Sequence, residues 1–73
     1  MLGSKKQVLA IEGMMCAHCA KHVEDALNAL DGVSGTKVDL NEKTATVKVK
    51  DEIAFEVYEK AIVDAGYTLK EVR

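Results

Sequence analysis

The chain has 73 residues, of which 48% are hydrophobic and 30% charged, with a formal net charge of −2. That length bounds it to one small domain, expected over residues 5–73, and the composition is that of a folding chain rather than a disordered one. The balanced charge and the scarcity of aromatics (Phe55, Tyr58 and Tyr67 only) argue against a nucleic-acid partner, which would call for a basic face and stacking rings. No apolar run is long enough to insert in a membrane and no charged-then-apolar leader opens the sequence, so a soluble, cytoplasmic protein is expected.

In chain order, Gln7 to Ile11 is rich in branched residues and puts Leu9 and Ile11 on one face, which predicts a strand ended by Glu12-Gly13. From Cys19 the period changes. Cys19, Val23, Ala26, Leu27 and Leu30 recur at helical spacing, with Lys21, Glu24, Asp25 and Asn28 on the other face. Asp31-Gly32 stops that helix. Thr36, Val38 and Leu40 then alternate with polar residues, as do Ala45, Val47 and Val49, predicting two half-buried strands joined through Asn41-Glu42-Lys43-Thr44. Ala54, Val57, Tyr58, Ala61, Ile62 and Ala65 return to helical period up to Gly66, and Tyr67 to Val72 reads as a last strand. The order strand, helix, strand, strand, helix, strand is a split β-α-β unit written twice. It predicts an α+β open-faced sandwich, with a four-stranded antiparallel sheet and both helices on one face.

The chemistry-bearing stretch is Gly13-Met14-Met15-Cys16-Ala17-His18-Cys19, which holds both cysteines. Two are too few for a secreted disulfide framework. Cys16 falls in the loop after the first strand and Cys19 in the first helical turn. There the unsatisfied N–H groups and the helix dipole favour thiolate over thiol. Two thiolates three positions apart make a soft, two-ligand site. Structural zinc wants four ligands, whereas Cu(I) accepts two or three, so the ligand count favours Cu(I). The rival reading of C-x-x-C is a thiol-disulfide redox pair, but the thioredoxin-type motif sits beside a cis-proline and this chain has no proline. Nucleophilic catalysis lacks a third member beside Cys and His, so no enzyme is expected.

Neighbouring residues have two readings each. His18 is either a third ligand or a solvated loop residue that tunes the thiolates, and the second is favoured. His22, one turn on, reads as a solvated surface residue. Met14 reads as a core plug beneath the loop rather than a thioether ligand, and Met15 as exposed beside Cys16. Tyr67, at the same end of the predicted sheet as Cys16, either shields the sulfurs or is a strand-end core aromatic.

Gly13 to Cys19 and the amphipathic helix after it resemble the heavy-metal-associated domain motif G-M-x-C-x-x-C, and the resemblance runs from about Gln7 to Val72. It includes Asp31-Gly32-Val33 and Ala65-Gly66-Tyr67. Within the family, His18 before the second cysteine and the Gly66-Tyr67 pair look like bacterial CopZ-type copper chaperones. The resemblance implies the ferredoxin-like fold, Cu(I) held by Cys16 and Cys19, and transfer to the metal-binding domain of a copper-transporting P-type ATPase. One mild departure is Met15, where the family usually has Ser or Thr. The same module excised from such an ATPase is an alternative, and so is a Cu(I)-linked homodimer. Charged residues near the motif, such as Lys21, Glu24 and Lys60, are expected to steer the partner.

Overall fold

A computed structural model describes residues 5–14 and 16–73. Its elements follow the predicted order: β1 (Lys5–Glu12), α1 (Ala17–Asn28), β2 (Val33–Asp39), β3 (Thr44–Val49), α2 (Phe55–Asp64) and β4 (Thr68–Val72). The expected exposure of Met15 lies outside the described residues.

Alternation sets the sheet. Gln7, Leu9 and Ile11 of β1 are buried, while Lys6 is exposed and Val8 and Ala10 are half-buried. Ala45, Val47 and Val49 of β3 are likewise buried, and the antiparallel register pairs Leu9 with Ala45 and Gln7 with Val47. A strand has period 2, so a one-residue slip would turn one of these sets to solvent. The strand order is β2-β3-β1-β4, antiparallel throughout, with a register shift against β4 between Ala10 and Ile11. The two helices cover one face in the expected ferredoxin-like arrangement.

Each helix drives one i, i+4 pair into the core: Val23 and Leu27 from α1, Tyr58 and Ile62 from α2. They meet Leu9, Ile11, Val47, Val49 and Leu69. Burying such a side chain contributes about 1.5–3 kcal/mol before the entropy of ordering it is subtracted. The stripe on α2 is narrower than its sequence suggests. Val57 is 44% exposed and Ala54 is the exposed residue just before the helix. Successive helical residues are about 100° apart, so with Tyr58 aimed at the sheet Val57 turns to the flank. Leu40, expected to extend β2, instead begins the turn to β3. There Asp39 Oδ1 accepts the backbone N–H groups of Asn41 and Glu42 at 2.9 and 3.1 Å and caps the strand.

The connections divide between the two ends of the sheet. The β1–α1, β2–β3 and α2–β4 connections lie at one end. The α1–β2 and β3–α2 connections lie at the other, where Lys5 opens β1 and β4 runs out as Arg73 exchanges backbone hydrogen bonds with Val8. Near that second end Gln7 is buried and hydrogen-bonded through both polar atoms of its side chain. Its Oε1 accepts the Tyr58 hydroxyl and the Ile53 N–H (3.0 Å), and its Nε2 donates to the Ile53 carbonyl (3.3 Å). Among the described residues no helix is long and apolar enough to cross a membrane.

Candidate functional site

The site is assembled where β1 gives way to α1. Gly13 has φ +103°, a conformation that side-chain-bearing residues rarely adopt. A Cβ there would also come within 3.3 Å of Tyr67 Cδ1, so the bare glycine lets the Tyr67 ring lie against the loop. Met14 then plunges into the core with 2% of its surface exposed and anchors the loop from beneath. Its environment is that of a packed apolar side chain.

Cys16 occupies the position immediately before α1, with extended backbone, and its carbonyl accepts the Ala20 N–H at 3.1 Å. Its side chain makes no hydrogen bond to the helix N-terminus. The N–H groups of the first helical turn therefore get no help from a serine- or aspartate-like cap. Cys19 is the third residue of α1. The two Sγ atoms are 3.4 Å apart, in hydrogen-bond contact and not joined in a disulfide; Cys16 is exposed and Cys19 is half-buried against the core.

Tyr67 reaches the site from the other side. The α2 terminus closes with two backbone bonds, Gly66 N–H to the Val63 carbonyl (2.9 Å) and Tyr67 N–H to the Ile62 carbonyl (3.0 Å), with Gly66 at φ +97°. This turn aims Tyr67 back at the β1–α1 loop. Its hydroxyl hydrogen-bonds to Cys19, and that bond pushes the phenol above its ordinary value, with burial and the charge of Cys19 and Cys16 acting the same way. Its ring also packs against the core, as expected of an aromatic at the strand end.

Cys16, Cys19 and Tyr67 thus converge above Met14. His18 does not complete a set with the cysteines: among the described residues no three of His, Cys, Asp and Glu are placed to hold one ion. Its exposed ring instead meets that of His22 edge-on, with centroids 5.0 Å apart. Lys21, expected to steer a partner, is engaged within α1 by Glu24 (4.0 Å) and Asp25 (3.6 Å). Sequence reading passed over two features. One is the Gly13 seat for the Tyr67 ring, whose signal was the glycine itself. The other is the ring contact between His18 and His22, whose one-turn spacing was read only as surface placement.

A small split β-α-β sandwich with two thiols at the mouth of its first helix defines a class. Residues 8–68 match the heavy-metal-associated domain family, and the chain belongs to it. Among its relatives, the copper chaperone CopZ of Staphylococcus epidermidis is 39% identical over 66 residues, covering 89% of this chain and 97% of that protein. A solved CopZ metallochaperone is similar with TM-score 0.83 and 37% identity, over 90% of this chain and 100% of the other. The N-terminal domain of a potential copper-translocating P-type ATPase from Bacillus subtilis, solved in its Cu(I)-loaded state, gives TM-score 0.82 and 33% identity, over 93% and 86%.

Proposed function

We propose that this chain is a cytoplasmic copper chaperone that carries Cu(I) between Cys16 and Cys19 and hands it to the metal-binding domain of a copper-transporting P-type ATPase. The observation that carries the reading is the pair of sulfurs 3.4 Å apart, one of them exposed, with no third protein ligand among the described residues. Two thiolates satisfy a soft monovalent ion but leave a closed tetrahedral zinc site half built. The copper-handling relatives support the same choice of cargo.

The open side of the ion is what makes delivery possible. A partner cysteine gives up its proton and its thiolate adds to Cu(I), forming a three-coordinate bridge. One donor thiolate then leaves and takes up a proton. Sulfur–copper bonds are exchanged one for one, copper stays Cu(I), and no free ion is released. Tyr67 has a positioning part in this exchange. Its hydroxyl keeps its proton and donates to Cys19, and its ring lies against Gly13 of the cysteine-bearing loop.

The test is an anaerobic Cu(I) titration against a coloured Cu(I) chelator, repeated with excess Zn(II). One Cu(I) per chain should be withdrawn and zinc should not displace it. Retained Cu(I) binding in both Cys16→Ser and Cys19→Ser would sink the assignment. Gel filtration with and without Cu(I) distinguishes a monomeric carrier from a homodimer pooling four thiolates. The near-equal likeness to an ATPase N-terminal domain favours a second reading, the same module acting as an acceptor within a longer transporter. Whether the natural reading frame continues into membrane helices decides between the two.

A further inference from the structure

We propose that His18 and His22 form a second metal site, separate from the thiols, that takes a divalent ion of borderline softness such as Zn(II). Both residues are exposed on α1, at i and i+4, so they lie on one flank one turn apart. Their ring centroids are 5.0 Å apart at an interplanar angle of 70°. That separation suits chelation. A ring nitrogen about 2.0–2.1 Å from an ion puts the ring centre about 3.2 Å from it, so two rings bound at tetrahedral or right angles have centres about 4.5–5.2 Å apart. The helix places the rings at this spacing before any ion binds.

Donor chemistry sets the ion. Imidazole nitrogen is a borderline ligand suited to Zn(II), Ni(II) and Cu(II), whereas Cu(I) prefers thiolate. Two protein ligands leave the remaining positions to water or to a partner's side chain. The surroundings favour a cation. The groove between α1 and α2 that starts at His22 is lined by Asp25, Glu56 and Asp64, with Lys60 as its basic member. Asp25 is paired with Lys21, so Glu56 and Asp64 are the acids that outweigh Lys60 there and oppose the positive end of the helix dipole. The chain would then hold a soft monovalent ion and a borderline divalent ion together, on different donors, within the first two turns of one helix.

The test isolates the imidazoles by removing the thiols. The Cys16→Ser/Cys19→Ser double variant, with its fold checked by circular dichroism, is titrated with Zn(II) by calorimetry and by NMR of the histidine ring protons. The natural chain with both thiols alkylated repeats the titration, so a poorly folding serine variant does not decide the result. One Zn(II) per chain is expected, with both ring signals moving together. His18→Ala and His22→Ala should each weaken binding about tenfold or more, about 1.4 kcal/mol, and the double substitution should abolish it. Three results overturn the proposal: no binding in either thiol-blocked form, binding untouched by the histidine substitutions, or ring signals that move independently. Because the thiols are absent throughout, failure here leaves the Cu(I) reading standing, and failure of that reading leaves this one standing.

Discussion

The two ends of the sheet solve opposite problems with similar amounts of polar chemistry. Near the end where the β3–α2 connection lies, Gln7 is buried and meets Tyr58 and both backbone groups of Ile53, and all three partners are distant in sequence. Among the described residues no buried side-chain nitrogen or oxygen lacks a hydrogen bond. At the cysteine end the polar atoms are sulfurs near the surface, the helix start has no side-chain cap, and the loop turns through a positive φ. A saturated buried network rigidifies, because breaking any member leaves a desolvated orphan. An unsaturated rim stays available to whatever binds. The comparison teaches that the parts holding this fold together are not the parts expected to react.

The largest expected effect separates the two ends most cleanly. Cys16→Ser should cut Cu(I) affinity by roughly a hundredfold to a thousandfold, judging from the ~10–16 kcal/mol that a four-ligand zinc site distributes over its ligands. Yet it should move the thermal midpoint by no more than about 4 °C, because the position is exposed. Chelator competition and calorimetry of one sample read both. Gln7→Ala should do the reverse. It orphans the Tyr58 hydroxyl and both Ile53 backbone groups, and should cost roughly 2–4 kcal/mol in urea unfolding, with Cu(I) affinity unchanged. A matching loss of copper binding would break the division between the ends.

Gly13→Ala probes where the division should fail. Its φ of +103° and the 3.3 Å approach to Tyr67 imply a cost of about 1–3 kcal/mol, and the displaced ring should also alter the rate of Cu(I) exchange. Urea unfolding and stopped-flow transfer to a chelator report the two consequences. The smallest effect is Tyr58→Phe, about 1 kcal/mol near neutral pH from one hydrogen bond. Its pH dependence is the sharper signature. Burial, and secondarily the charge of Glu52, raise the folded-state value of the Tyr58 phenol above its ordinary value of 10.0. The unfolded chain therefore loses that proton first. The contribution is intact below about pH 10 and is lost as pH climbs towards the folded value. Stability curves of the natural chain and the variant should converge above that point, and parallel curves would contradict the linkage.

Much of this was legible in the sequence, for identifiable reasons. Val23 with Leu27 and Tyr58 with Ile62 announce helices because i, i+4 spacing is local. Leu9, Ile11, Ala45, Val47 and Val49 announce strands by alternation. The closeness of the two cysteines was legible because it follows from three positions of spacing at a helix start. The Gln7 clamp was not, since its partners lie 46 and 51 positions away and nothing in a glutamine's neighbours foretells them. The exposure of Val57 was hidden for a related reason. Periodicity gives the apolar stripe, but how much of its width the sheet covers depends on packing that only the assembled fold supplies.

The layout of the strands carries a mechanical consequence. Lys5 opens β1, and Arg73 follows the close of β4, away from the loop that bears the thiols. A segment joined at either of these residues would leave from the rear of the molecule, with the sulfurs still facing outward. Such a tether would raise the local concentration of this unit around an acceptor, by the logic of linked binding sites, without standing between the two pairs of thiolates.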